Sequence, residues 1–81
     1  MFEPFLGTLT DKSVPEYDFQ HAGTEFIYVL AGHLSYRHGR RSYALGPGDA
    51  LTFRGDVPHG PESLDTVPIR MLSIITYGRE V

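Results

Sequence analysis

His21-Ala22-Gly23-Thr24-Glu25-Phe26-Ile27-Tyr28-Val29-Leu30-Ala31-Gly32 is the stretch on which the fold turns. Its centre, Phe26 to Ala31, is apolar and rich in aromatic and branched side chains. Turn residues close it on both sides, at Ala22-Gly23-Thr24 and at Ala31-Gly32, which leaves room for a short strand and none for a helix of ordinary length. A strand covered on one face alternates apolar with polar residues, and this one does not. Most of 71–75 (Met-Leu-Ser-Ile-Ile) has the same two-sided character. Both segments are therefore expected to be buried on two sides, one toward a core and one toward something else.

Outward from this stretch the punctuation is frequent and even. Turn signals fall at 10–15, 22–24, 31–32, 39–40, 46–49, 55–58 and 63–68, and the runs between them predict strands over 2–9, 16–21, 26–30, 34–38, 42–45, 50–54 and 69–77. No window carries a long 3.6-residue period. Short strands at this spacing predict an all-β sandwich or barrel. With 81 residues and no internal repeat or linker, the chain reads as a single domain, 1–81. A domain this small buries only about 60% of its unfolded surface, so a second copy would add to its stability. The apolar outer faces of 26–30 and 71–75 then predict a homodimer, or a cover formed by strand 2–9. The two coincide if that strand is exchanged between copies.

Composition excludes several classes. There is no cysteine, so disulfides and thiolate ligands are ruled out, and a reducing cytoplasmic setting is expected. Net charge is −3, and the basic residues are scattered apart from Arg40–Arg41, so direct nucleic-acid binding by this chain is not expected. No apolar run is long enough to span a bilayer as a helix, and Glu3-Pro4 stands where a secretion signal would need a basic start and an apolar run.

The four histidines are not equivalent. His21 ends one predicted strand and Glu25 opens the next across a tight turn, so their side chains can converge. His59 follows Val57-Pro58, where a proline-stiffened loop would hold it. Two imidazoles and a carboxylate suit iron, zinc, manganese or nickel with positions left open for a ligand. Spacing alone leaves the ordinary reading standing beside this one, since a His with a Glu four residues on is common. His33 and His38, next to predicted hairpins, are expected to be solvated, as are Glu62 and Asp65 in a predicted loop. Pro47-Gly48 reads as a type II turn, with Asp49 hydrogen-bonded to nearby backbone. Tyr36 and Tyr43 either line a pocket or fill the core.

These residues resemble the two motifs of the cupin superfamily. The first motif has two histidines one residue apart, then a glutamate and, after six residues, a glycine. His21, Glu25 and Gly32 match its second half. The second motif runs from a proline–glycine turn and an acidic residue, through a strand, to proline–histidine and a closing asparagine. Pro47-Gly48-Asp49 and Pro58-His59 match it. The resemblance covers roughly 17–77. It implies a small antiparallel cupin barrel of the jelly-roll or double-stranded β-helix type, with His21, Glu25 and His59 as ligands of one divalent metal.

Phe19 stands where the family's first histidine would fall, and Ser63 where its asparagine would. Water or a ligand fills the remaining metal positions, or the pocket holds no metal. Phe19 would then place an apolar ring in the pocket, which suits an organic small-molecule ligand. The phrase Glu25-Phe-Ile-Tyr-Val-Leu-Ala-Gly32 and the missing histidine look most like the C-terminal cupin domain of bacterial helix-turn-helix regulators. That likeness implies a ligand-sensing module, either a fragment or a free-standing relative. The alternative is a small metal-dependent enzyme, an oxygenase or isomerase acting on a small organic acid or sugar.

Overall fold

A computed structural model describes residues 2–11 and 19–77. Its strands in chain order are β1 (Phe2–Leu9), β2 (Thr24–His38), β3 (Arg41–Leu45), β4 (Ala50–Arg54) and β5 (His59–Thr76). All pairings are antiparallel, in the order β1-β5-β2-β3, with β4 joined to β2. Among the described residues there is no helix, and so none long and apolar enough to cross a membrane.

Two long strands organise the barrel. The first half of β2 lies between β4 and the end of β5, and its second half lies between β3 and the start of β5. One strand thereby serves both sheets of the jelly roll. The inward positions Ile27, Val29, Leu34 and Tyr36 of β2 meet Leu45, Phe53, Leu64 and Ile69 in a single buried core. The two-residue period of extended chain puts them there within each half of β2, and the register shifts between Val29 and Leu34 move that period by one residue.

Two expected turns are absent. The chain does not reverse at 31–32 or at 63–68; β2 and β5 run straight through, with register shifts between Val29 and Ala31 and again around His33. Gly32 takes a φ of +87°, and a Cβ there would come within 2.6 Å of the Thr66 and Pro68 carbonyl oxygens. A glycine in the left-handed region here makes a bulge that bends the strand without breaking its ladder. Glu62 consequently lies in β5 and not in a solvated loop, where it accepts hydrogen bonds from Ser42 (2.7 Å) and Ser35 (3.4 Å) and lies 3.7 Å from the Arg37 guanidinium. Asp65 lies in β5 too and stays exposed. The Pro47-Gly48 turn is closed by the Asp49 N–H donating to the Gly46 carbonyl (2.9 Å), and Asp49 accepts from the Gly46 N–H (2.8 Å). Of the strand expected over 16–21, residues 16–18 lie outside the described residues; Phe19 forms a two-residue bridge to His59.

β1 does not fold over the apolar face. It pairs edge-on with β5 and widens the sheet. The register places Leu6, Leu72, Tyr28 and Ala50 in one outward row and Pro4, Ile74, Phe26 and Thr52 in the next. Leu6 is 54% and Tyr28 36% exposed, so among the described residues nothing covers this face.

Candidate metal centre

His21 lies in the connection before β2, Glu25 is the second residue of β2 and His59 is the first of β5. Backbone bonds hold these segments together. The His21 N–H donates to the Gly55 carbonyl (2.8 Å), and Phe19 and His59 exchange both of their backbone hydrogen bonds (2.9 and 3.0 Å). The ligating atoms of all three side chains lie within 4.8 Å of one another. Glu25 Oε1 is 2.8 Å from His21 Nε2 and 3.3 Å from His59 Nε2. Glu25 is 6% and His59 2% exposed.

The other ring nitrogens settle how the imidazoles face. His21 Nδ1 is 2.9 Å from the Ala22 carbonyl, and His59 Nδ1 is 2.8 Å from the Val57 carbonyl. A carbonyl only accepts, so each Nδ1 carries the proton. The Nε2 of a neutral ring so anchored has a free lone pair, and both lone pairs face the Glu25 carboxylate. This is the arrangement by which proteins aim histidines at a metal, with the far nitrogen tied to a backbone acceptor. The donor set fits a divalent ion: two neutral nitrogens and one carboxylate that offsets half its charge.

Without an ion, the buried carboxylate needs another cation beside it. Burial opposes a charge on His21, but the Ala22 carbonyl and Glu25 together outweigh it and raise its pKa above the ordinary histidine value. A proton on His21 Nε2 thus does for Glu25 what a metal ion would do. Burial, and secondarily the Glu25 charge, push the Tyr36 hydroxyl far above its usual value.

The cluster opens on a cavity of about 420 Å³. Phe19 and Tyr36 are on its wall; Tyr43 is not, and packs against the core instead. Several contributors are not apparent from sequence. Gly7 and Leu9 reach the cavity from β1, and Met71 and Ser73 reach it from β5. Gly55 is indistinguishable in sequence from an ordinary turn glycine, yet a Cβ on it would collide with the His21 ring. His38 is half-buried and not fully solvated. Its ring packs on Phe53 (centroids 5.0 Å apart), which in turn packs on His59 (4.7 Å), and its Nε2 is 3.0 Å from the Arg54 carbonyl. His33 is exposed.

Comparison with known proteins follows the same lines. Residues 9–75 match the Cupin_2 family, cupin domain. No curated protein matches the chain in sequence. Among solved structures the chain is similar to the Cupin_2 domain of an XRE family transcriptional regulator from Enterobacter cloacae. The two are 28% identical with a TM-score of 0.81, over 96% of this chain and 83% of that one. A cupin superfamily protein from Desulfitobacterium hafniense DCB-2 is 17% identical with a TM-score of 0.81, over 95% and 68%. Hydroxypropylphosphonic acid epoxidase from S. wedmorenis is 18% identical with a TM-score of 0.78, over 93% of this chain and 43% of the enzyme. These last two show likeness of fold alone.

Proposed function

The chain belongs to the Cupin_2 family of cupin domains, and from that premise we propose that it is a small-molecule-binding sensor module holding one divalent ion on His21, Glu25 and His59. The observation that carries this reading is the pair of Nδ1-anchored imidazoles whose Nε2 atoms face one buried carboxylate. The ion, when bound, supplies a Lewis-acidic centre with positions open to an oxygen or nitrogen donor. The chain's own part is to orient: the Ala22 and Val57 carbonyls hold the rings, and Glu25 offsets charge. The likeness to the cupin domain of a transcriptional regulator supports a regulatory role. The absence of cysteine suits a reducing, cytoplasmic setting.

A small metal-dependent oxygenase or isomerase is the second reading, favoured by the open positions of a three-donor set and by a shared fold with an epoxidase crystallised in its iron(II) form. Tyr36, its pKa raised by burial, is suited to donating a hydrogen bond and not to taking a proton. Among the described residues of the cavity wall, the other protonatable side chains are the three ligands themselves.

The test is elemental analysis of protein purified without chelators. One divalent ion per chain is expected in the wild type, with a large loss in Glu25→Gln and in His59→Ala. Metal-free wild-type protein that takes up no iron, zinc, manganese or nickel on titration would overturn the reading.

We also propose that the uncovered outer face meets a second copy of this chain. Its two rows, Leu6-Leu72-Tyr28-Ala50 and Pro4-Ile74-Phe26-Thr52, carry no charge and so complement themselves across a two-fold axis.

A further inference from the structure

We infer that the cavity takes a ligand with one singly charged end and an apolar body, of the class of medium-chain or aromatic monocarboxylates, and that Gly7 sets the length it accepts. This rests on the proposed metal site. A divalent ion on two neutral imidazoles and the Glu25 carboxylate keeps one positive charge. Among the described residues no Lys or Arg lines the cavity to add another. A monoanion neutralises that centre. A dianion, such as a phosphonate or a dicarboxylate, would leave a charge uncompensated beside apolar walls, which is costly.

The walls fit the rest of such a molecule. Leu9, Ile27, Met71 and Ile75 form the inner surface, and the unbranched thioether of Met71 adapts to irregular shapes. Phe19, 51% exposed at the rim with its ring centroid 6.4 Å from that of His59, offers a face that a bound apolar body would cover. Ser73, Gln20 and the Tyr36 hydroxyl are the uncharged polar side chains on the wall, too few to pair the hydroxyls of a sugar.

Gly7 lies opposite Met71 in the β1–β5 register, on the same side of β1 as Leu9. A Cβ added there meets nothing within 4 Å, and its backbone has no left-handed φ that would strain a side chain. A side chain at position 7 would therefore start into ligand space from a backbone that accepts its Cβ without strain.

The experiment is calorimetric titration of the protein loaded with Zn(II) or Co(II), using heptanoate, pentanoate, acetate, adipate, hexylphosphonate and glucose as probes. Heptanoate is expected to bind tightest, with affinity falling about fourfold for each methylene removed. Gly7→Leu is expected to keep its metal and its melting transition while losing most of the heptanoate affinity. Phe19→Ala is expected to weaken heptanoate more than acetate. In the Co(II) form, heptanoate is expected to shift the visible absorption bands in the wild type and not in Gly7→Leu. If metal binds but heptanoate is no better than acetate, or if adipate, hexylphosphonate or glucose binds more tightly, the inference is overturned and the metal site stands. Undiminished heptanoate binding by Gly7→Leu overturns the role of Gly7. Failure of the protein to take up metal at all removes the metal reading and this inference with it.

Discussion

At position 55 a single hydrogen in place of a methyl group decides where His21 can lie. The His21 ring rests against the Gly55 backbone so closely that a Cβ would displace it, and the His21 N–H is tied to the Gly55 carbonyl. Gly55→Ala should therefore fold, since no left-handed φ is required there, but its metal affinity should drop by about 10–100-fold, the usual cost of disturbing a ligand's support. Competition with a chromophoric chelator measures this directly. The same ring has a pH signature. Its pKa is raised on folding, so its contribution to the stability of the metal-free protein is complete below the unfolded value of about 6.5 and is lost as pH rises through the folded value. Metal uptake must run the other way, because protons compete for Nε2. Melting of chelator-treated wild type, minus that of His21→Gln, should give a difference that shrinks toward high pH. A difference that grew with pH would mean that the His21–Glu25 pair is not what the proton holds together.

Within the long strands, Gly32 is where β2 accommodates both sheets. A side chain there meets two carbonyl oxygens of β5 and must also accept a φ of +87°. Gly32→Ala should destabilise the protein by at least the roughly 1–3 kcal/mol typical of backbone strain of this kind. Thermal melting against a Gly7→Ala control, where the added methyl meets open space, isolates the effect. The strand arrangement also explains why Glu62 is engaged: a bulged but unbroken β5 brings it beside Ser35, Arg37 and Ser42 of the neighbouring strands.

For the molecule as a whole, the decisive feature is an apolar sheet face that none of the described residues covers. A barrel of 9.1 kDa with Leu6 and Tyr28 this exposed should sediment at about twice that mass at micromolar concentration. The double substitution Leu6→Lys with Tyr28→Lys should return it to a monomer while leaving the inner face and the metal site intact. A wild type that sediments as a monomer would rule out self-association through this face. Dimerisation should also raise the melting temperature with concentration, since a chain this short buries little surface alone.

The amino-acid sequence by itself determined the class of fold and the turn at Pro47-Gly48, while spacing alone left His21, Glu25 and His59 ungrouped and only their resemblance to the cupin motifs joined them. Strand period and turn chemistry are properties of neighbouring residues, and each is written within a few positions. It could not show that β2 and β5 continue through 31–32 and 63–68, because a bulge glycine and a turn glycine look alike until the partner strand is in place. Nor could it assign Tyr43 to the core and Gly7 to the cavity, or give Gly55 its part in seating His21. Those assignments depend on which strands become neighbours, and contacts between residues dozens of positions apart exist only once the barrel has closed.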